Sequence, residues 1–259
     1  MIKHCILTLY ISLSSLCFGK IVECVHFNTI YEHLDKDTLI ILDIDDTLLI
    51  PEQMLGCDEW FLERLTEHKK SLKESEALEK ALAEWEGVRH LTKMMLVEPA
   101  TALIVQDLQN KHYLVMGLTT QGLALATRTS LQLKQNHIDL SLAAPSKEDH
   151  YFLINNHGIL YRNGILFTSG QSKAHSLKAL CQSMAIHPKK IVFVNDKASH
   201  LKDLEQYALE ENIPFTGLRY GYSDFRKKAF SKAVADYQFN NSSFNQILSD
   251  EKAQALLAQ

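Results

Sequence analysis

Three aspartates fall within four positions of the stretch "TLIILDIDDTLL" (38–49): Asp43, Asp45 and Asp46, directly after the apolar run Leu39 to Leu42. Carboxylates this close repel one another, and burying them costs free energy unless something of opposite charge sits beside them. A divalent cation is the simplest compensation, and carboxylate and carbonyl oxygens suit magnesium. Along an extended chain, side chains repeat every two residues, so Asp43 and Asp45 share a side and Asp46 faces away. The first two are the expected working pair. Asp46, with Thr47, is expected to shape the loop through side-chain to backbone hydrogen bonds. Other chemistry-bearing residues stand at the ends of similar apolar runs. Thr119 ends "YLVMGLT" (113–119), and Asn195 and Asp196 end "KIVFVND" (190–196). Lys173 opens a helical pattern just after the Gly-containing end of "GILFTSG" (164–170).

These runs, with "PFTGLRYG" (214–221), are continuous rather than alternating, as strands buried on both faces of a parallel sheet are. Helical patterns over 122–136, 172–186 and 198–212 separate them. Leu177, Leu180, Cys181 and Met184 form one apolar stripe, and Leu201, Leu204, Tyr207 and Ala208 another. The alternation implies an α/β fold with a doubly wound, Rossmann-like, mainly parallel sheet, whose ligands bind beyond the carboxyl ends of the strands. "NNHG" and "RNG" within 150–168 point to a short β-hairpin. Residues 58–93, rich in Glu, Lys and Leu, read as two or three helices where a simple crossover needs far fewer residues. They are read as an inserted helical cap (58–93) on a core of 20–57 and 94–259. An elaborated helical layer out of reach of substrate is the alternative.

Taken in order, the strand ends carry a resemblance. "DIDDTLL" is similar to the first motif of the haloacid dehalogenase-like (HAD) superfamily, Thr119 to the second, Lys173 in "SGQSKAHSL" to the third, and "IVFVNDKASHLKDL" to the fourth. "GCDEWF" (56–61) and "VNDK" most resemble a group of exported bacterial HAD-like proteins. The resemblance implies a phosphatase. Asp43 would be the nucleophile forming an aspartyl-phosphate, and Asp45 the acid/base and donor of a main-chain carbonyl to the metal. Thr119 would bind a phosphoryl oxygen, Lys173 would neutralise charge, and Asp43, Asp45 and Asp196 would hold Mg2+. Asp at 45 favours hydrolysis of phosphate esters over dehalogenation, and a phosphotransferase ranks below a phosphatase. The family's acid about four residues after Asp196 is replaced by His200, Asp203 lies one helical turn further on, and Asn195 stands where a second acid is common. Those departures motivate a second reading, a secreted binding or effector protein on the same scaffold with little turnover.

Composition narrows the setting. The chain has 259 residues, 46% hydrophobic and 22% charged, which excludes a disordered protein. A net charge of −4 with scattered Lys and Arg argues against nucleic acid. "MIKHCILTLYISLSSLCFG" (1–19) has a basic start, an apolar run and small residues at its end, the build of a secretory signal peptide, with a retained anchor or buried first helix as alternatives. The expectation is an exported protein, periplasmic or secreted, free of the membrane after cleavage, acting on a phosphorylated small molecule. Of five cysteines, Cys24, Cys57 and Cys181 lie beyond that segment; one disulfide or three buried thiols are both open. Arg64, Arg89, Lys93 and Arg128 are candidates to reach substrate from the cap or its base. Trp60 and Trp85 are expected in the cap core, with a pocket wall as the alternative.

Overall fold

The computed structural model describes residues 19–242 and 247–258. The segment read as a signal peptide, apart from Gly19, lies outside them. Eight strands form one sheet: β1 (Lys20–Cys24), β2 (Thr38–Leu42), β5 (Leu114–Thr119), β6 (His150–Ile154), β7 (His157–Arg162), β8 (Ile165–Phe167), β9 (Lys190–Asn195) and β10 (Phe215–Tyr220). Their order is β1-β10-β9-β2-β5-β8-β7-β6. Every pairing from β1 to β8 is parallel, and at the far edge β7 runs antiparallel to both β8 and β6. From β2 the chain winds outward through β5 to β8, then returns to β9 on the other side of β2. This is the doubly wound plan expected from the sequence.

The continuous apolar runs divide by the two-residue period of a strand. In β2, Ile40 and Leu42 pack into one buried cluster, with Ala102, Val105 and Leu108 of α3 (Thr101–Asn110) and Leu133 of α4 (Ala126–Gln135). Leu39 and Ile41 enter the opposite cluster, with Leu177 and Leu180 of α5 (Lys173–Ser183) and Leu201 and Leu204 of α6 (Ala198–Glu210). Helices on both faces explain why no polar residue alternates along this strand.

The expected hairpin is β6–β7. Its two turn residues, Asn155 and Asn156, have φ of 49° and 64°, the left-handed pair of a tight hairpin turn. The "RNG" turn joins β7 to β8 in the same way, with Asn163 at 51° and Gly164 at 75°.

The insertion forms two helices, α1 (Asp58–His68) and α2 (Glu74–Leu91), packed on each other. Its two ends are gathered by a separate antiparallel pair, β3 (Leu49–Pro51) and β4 (Met94–Leu96). Trp60 and Trp85 are buried in a third cluster with Leu55, Val88 and Ala235, against which Phe230 and Phe239 pack. The Trp60 and Phe239 rings lie 5.2 Å apart. The inserted helices therefore share a core with α8 (Lys232–Asn241), which follows the short α7 (Asp224–Lys228) and precedes α9 (Asp250–Leu257).

One feature was not anticipated. β1 is an edge strand whose residues are mostly half-exposed, so "KIVEC" lacks the continuous apolar run of the others. Cys24, Cys57 and Cys181 are all buried free thiols, which decides between the two cysteine readings. Among the described residues no helix is long and apolar enough to cross a membrane.

Gly164 combines a positive φ with a close approach: a Cβ there would run into the Leu140 carbonyl oxygen. Gly164→Ala is expected to destabilise the fold by about 1–3 kcal/mol, read as a lower urea midpoint at unchanged m-value.

Candidate active site

Asp43 follows the last residue of β2, and its N–H still donates to the Val194 carbonyl of β9 at 3.0 Å. The strand thus carries the carboxylate to the sheet's carboxyl edge before the chain leaves the ladder. Asp43 Oδ1 accepts from Lys173 Nζ at 2.6 Å and from the Ile44 N–H at 2.9 Å. Lys173 is only 1% exposed, with its ammonium 5.5 Å from the centre of the Phe193 ring. Burial pushes the Asp43 carboxyl up to about 7 although Lys173 pulls it down; Asp196 and Asp45 push it further up. Lys173 is the first residue of α5, which fixes its entry angle. Ser172 caps that helix by accepting from the His175 N–H at 3.1 Å and donates to Asp203 Oδ2 at 2.9 Å. Asp203 also accepts from the Ala174 N–H at 3.2 Å. This carboxylate, short of the metal side by sequence spacing, positions the helix that delivers Lys173.

Asp45 is engaged at both oxygens. Arg89 Nη2 donates to Oδ1 at 2.6 Å and Gln121 Nε2 to Oδ2 at 2.8 Å. Thr129 Oγ1 donates to Gln121 Oε1 at 2.6 Å, which sets the orientation of that amide. Arg89 is on α2, 2% exposed, with its guanidinium 5.0 Å over the Trp85 ring. The inserted helices therefore reach the acidic loop through one arginine. Thr119, fully paired with β8 at the end of β5, accepts from the Gln121 N–H at 3.2 Å through its hydroxyl.

Asp46 is separate from the working pair, as expected, but shapes the loop by other means. Its φ is 58°; its N–H donates to the Leu49 carbonyl at 2.9 Å and its own carbonyl accepts from Ser223 Oγ at 2.9 Å. The main chain makes the brace, while the side chain lies 3.8 Å from Lys227 Nζ. Burial first, then Asp58, pushes the Asp46 carboxyl well above the usual range against the pull of Lys227. Thr47 behaves as anticipated: its hydroxyl accepts from the Asp196 N–H at 3.2 Å.

Asp196 stands beside Asp43 across the β2–β9 pairing, where Leu42 is opposite Val194. Lys227 of α7 grips Asp196 Oδ2, and Asp196 Oδ1 is buried without a hydrogen-bond partner. α7 is itself anchored by Arg226, whose Nη2 donates to the Pro51 and Glu52 carbonyls at 2.7 and 2.9 Å. Asn195, considered above as a substitute for a second acid, is otherwise occupied. Its Oδ1 accepts from the Lys197 N–H at 2.7 Å and its Nδ2 faces His200 Nδ1 at 3.4 Å.

No three His, Cys, Asp or Glu side chains converge as a metal set among the described residues. The expected set needs only two carboxylates, Asp43 and Asp196, with the Asp45 main-chain carbonyl. A buried Asp196 oxygen lacking any donor, next to a carboxyl raised by burial and then by its acidic neighbours, fits a hard divalent cation. Lys227 meets only part of that demand.

All five expected residues, Asp43, Asp45, Thr119, Lys173 and Asp196, thus lie at strand or helix ends along one edge of the sheet. Of the four candidate cations, only Arg89 touches them. Arg64 pairs with Glu84 at 2.7 Å, Arg128 donates to the Thr92 carbonyl at 3.2 Å and Lys93 is exposed. Sequence reading missed Gln121, Lys197 and Lys227. Gln121 and Lys197 sit within two residues of expected positions and were open to that inference; Lys227 carries no local signal.

His200 is held neutral: burial, then Lys173 and Lys197, push it down to about 4. The unfolded chain takes up this proton near 6.5 and the folded one does not, so the contribution is present above 6.5 and is lost as pH falls toward 4. Urea midpoints across that window are expected to fall more steeply in the native sequence than in His200→Gln.

Two relatives bear the name "Putative outer membrane protein". One, from Chlamydia pneumoniae, is 24% identical over 252 residues, covering 92% of this chain and 90% of its own. The other, from Chlamydia muridarum, is 26% identical over 220 residues, covering 84% and 81%. The crystal structure of a "putative beta-phosphoglucomutase" from Thermotoga maritima aligns over 74% of this chain and 99% of its own, at 11% identity and a TM-score of 0.41. The family model described as "Protein of unknown function (DUF2608)" matches residues 23–254, and the chain belongs to that family.

Proposed function

We propose that the protein is an exported, magnesium-dependent phosphomonoesterase of the HAD type that works through an aspartyl-phosphate on Asp43. The observation that carries this reading is the meeting of Asp43 with Lys173 at 2.6 Å, with Asp45 from the same loop and Thr119 and Asp196 from two other strand ends at the same sheet edge. Phosphoryl transfer asks a protein mainly for position and charge neutralisation, which is what this edge offers. Export is supported by the build of residues 1–19 and by the names of the relatives.

In this mechanism a carboxylate oxygen of Asp43 attacks phosphorus and the ester P–O bond breaks. Lys173 stays against Asp43 and neutralises charge gathering on the phosphoryl oxygens, and the Thr119 hydroxyl donates to one of them. Asp45 gives its proton to the leaving alkoxide, then takes a proton from the water that hydrolyses the aspartyl-phosphate. Because Arg89 and Gln121 hold both Asp45 oxygens, one of these bonds opens for each proton transfer. Asp43, Asp196 and the Asp45 carbonyl would hold Mg2+, which when bound supplies further charge neutralisation to the phosphoryl group.

The grip of Lys227 on Asp196 favours a second reading, a binding or effector protein of the same scaffold that holds a phosphoryl group without turning it over. A thermal shift with Mg2+ and beryllofluoride, but no hydrolysis over a broad ester panel, would select it. For the leading reading, purified protein lacking residues 1–19 is expected to release phosphate with Mg2+ and to stop with EDTA. Asp43→Asn is expected to lower kcat by at least about a thousandfold. Undiminished activity in that variant would sink the mechanism.

A further inference from the structure

Between the inserted helices and the sheet edge lies an open cleft of about 160 Å3, walled by Phe61, Leu82 and Trp85 and closed by Glu86, Gln121 and Lys197. Two of these residues tie it to the acidic loop. Gln121 donates to Asp45, and Lys197 follows Asp196 in the chain and pairs with Asp58 at 2.5 Å. The cleft therefore begins where the alcohol half of a phosphoester attacked by Asp43 would project.

Its chemistry is selective. An apolar cavity of about 150 Å3 holds a benzene ring, so this space is large enough to seat one ring. Phe61 and Trp85 meet edge to face at 6.1 Å, giving a rigid aromatic wall. Leu82 is 38% exposed at the mouth, apolar surface that an occupant would cover. Glu86, which follows Trp85 on α2, accepts no hydrogen bond among the described residues. Its Oε1 lies 2.8 Å from where a Cβ on Gly122 would stand, so the glycine leaves the carboxylate room at the cleft wall. Burial raises the Glu86 carboxyl, with only His90 pulling it down. A donor or cation on the occupant would satisfy it.

We propose that this cleft seats the alcohol portion of the substrate, and that this portion is a single apolar ring bearing one hydrogen-bond donor or positive charge. A sugar polyol would set several hydroxyls against the apolar wall of Phe61, Leu82 and Trp85, where they find no partner. The assignment rests on the phosphatase reading for its placement and can be separated from it by experiment.

Benzyl phosphate, glycerol 1-phosphate and glucose 6-phosphate are all esters of aliphatic alcohols, so leaving-group acidity does not decide among them. With Mg2+, kcat/KM for benzyl phosphate is expected to exceed the other two by roughly tenfold or more, and Leu82→Gln to remove most of that preference. Benzylamine, which carries no phosphate, is expected to perturb tryptophan fluorescence saturably, with weaker binding in Leu82→Gln. Leu62→Gln, at a 57% exposed cleft residue, repeats the test should the first variant fold poorly. Benzylamine binding that Leu82→Gln weakens, without hydrolysis of any ester, retires the phosphatase reading and the alcohol assignment with it, while the ring specificity of the cleft stands. Hydrolysis with no ring preference, or benzylamine binding that is absent or insensitive to both variants, overturns the cleft assignment.

Discussion

A carboxylate and an ammonium, Asp43 and Lys173, face each other at 2.6 Å almost out of reach of water. Removing either partner of a buried pair leaves the other uncompensated, at about 3–5 kcal/mol. Much of the surrounding structure keeps these two groups together. β2 brings the acid to its edge within a ladder that is parallel on both sides. α5 brings the base, and its first turn is tied by Ser172 and Asp203 to α6. The fold can sustain this because both faces of the sheet are sealed by helices, so the strand has no other demand on its polar edge.

Negative charge around the pair exceeds what Lys173 can balance. The chain recruits further cations from distant segments: Arg89 onto Asp45, Lys227 onto Asp196 and Lys197 onto Asp58. Arg89 and Lys227 thus hold the inserted helices and α7 to the acidic edge, and Lys197 ties the start of α6 to the first inserted helix. Asp196 Oδ1 is still left without a donor.

Much of the layout was legible in the sequence. The buried strands, α5, α6 and the hairpin were readable because a two-sided parallel sheet leaves continuous apolar runs and tight turns leave Asn and Gly. The gathering of Asp43, Asp45, Thr119, Lys173 and Asp196 at one edge was readable because a parallel sheet brings the carboxyl ends of its strands to one side. β1 was hidden by its half-exposed edge. Lys227 was hidden because nothing near position 227 shows that α7 folds back beneath the acidic loop; that depends on Arg226 meeting two carbonyls some 175 residues earlier. Asp46 was misread in its means: a positive φ on a non-glycine residue is a backbone property that composition does not announce.

The short ladder between β3 and β4 has its own consequence. Leu49 pairs with Leu96 and Pro51 with Met94, so the chain departs for the inserted helices and comes back at nearly the same point. Neighbouring strands stand about 4.8 Å apart, so whatever is spliced between them need only begin and end side by side. Lengthening or exchanging that loop would cost little in closure entropy. It must preserve Arg89 on Asp45, Asp58 on Lys197 and the packing of Trp60 on Phe239. A remodelled lobe that keeps these three contacts would leave the acidic edge beneath it unchanged.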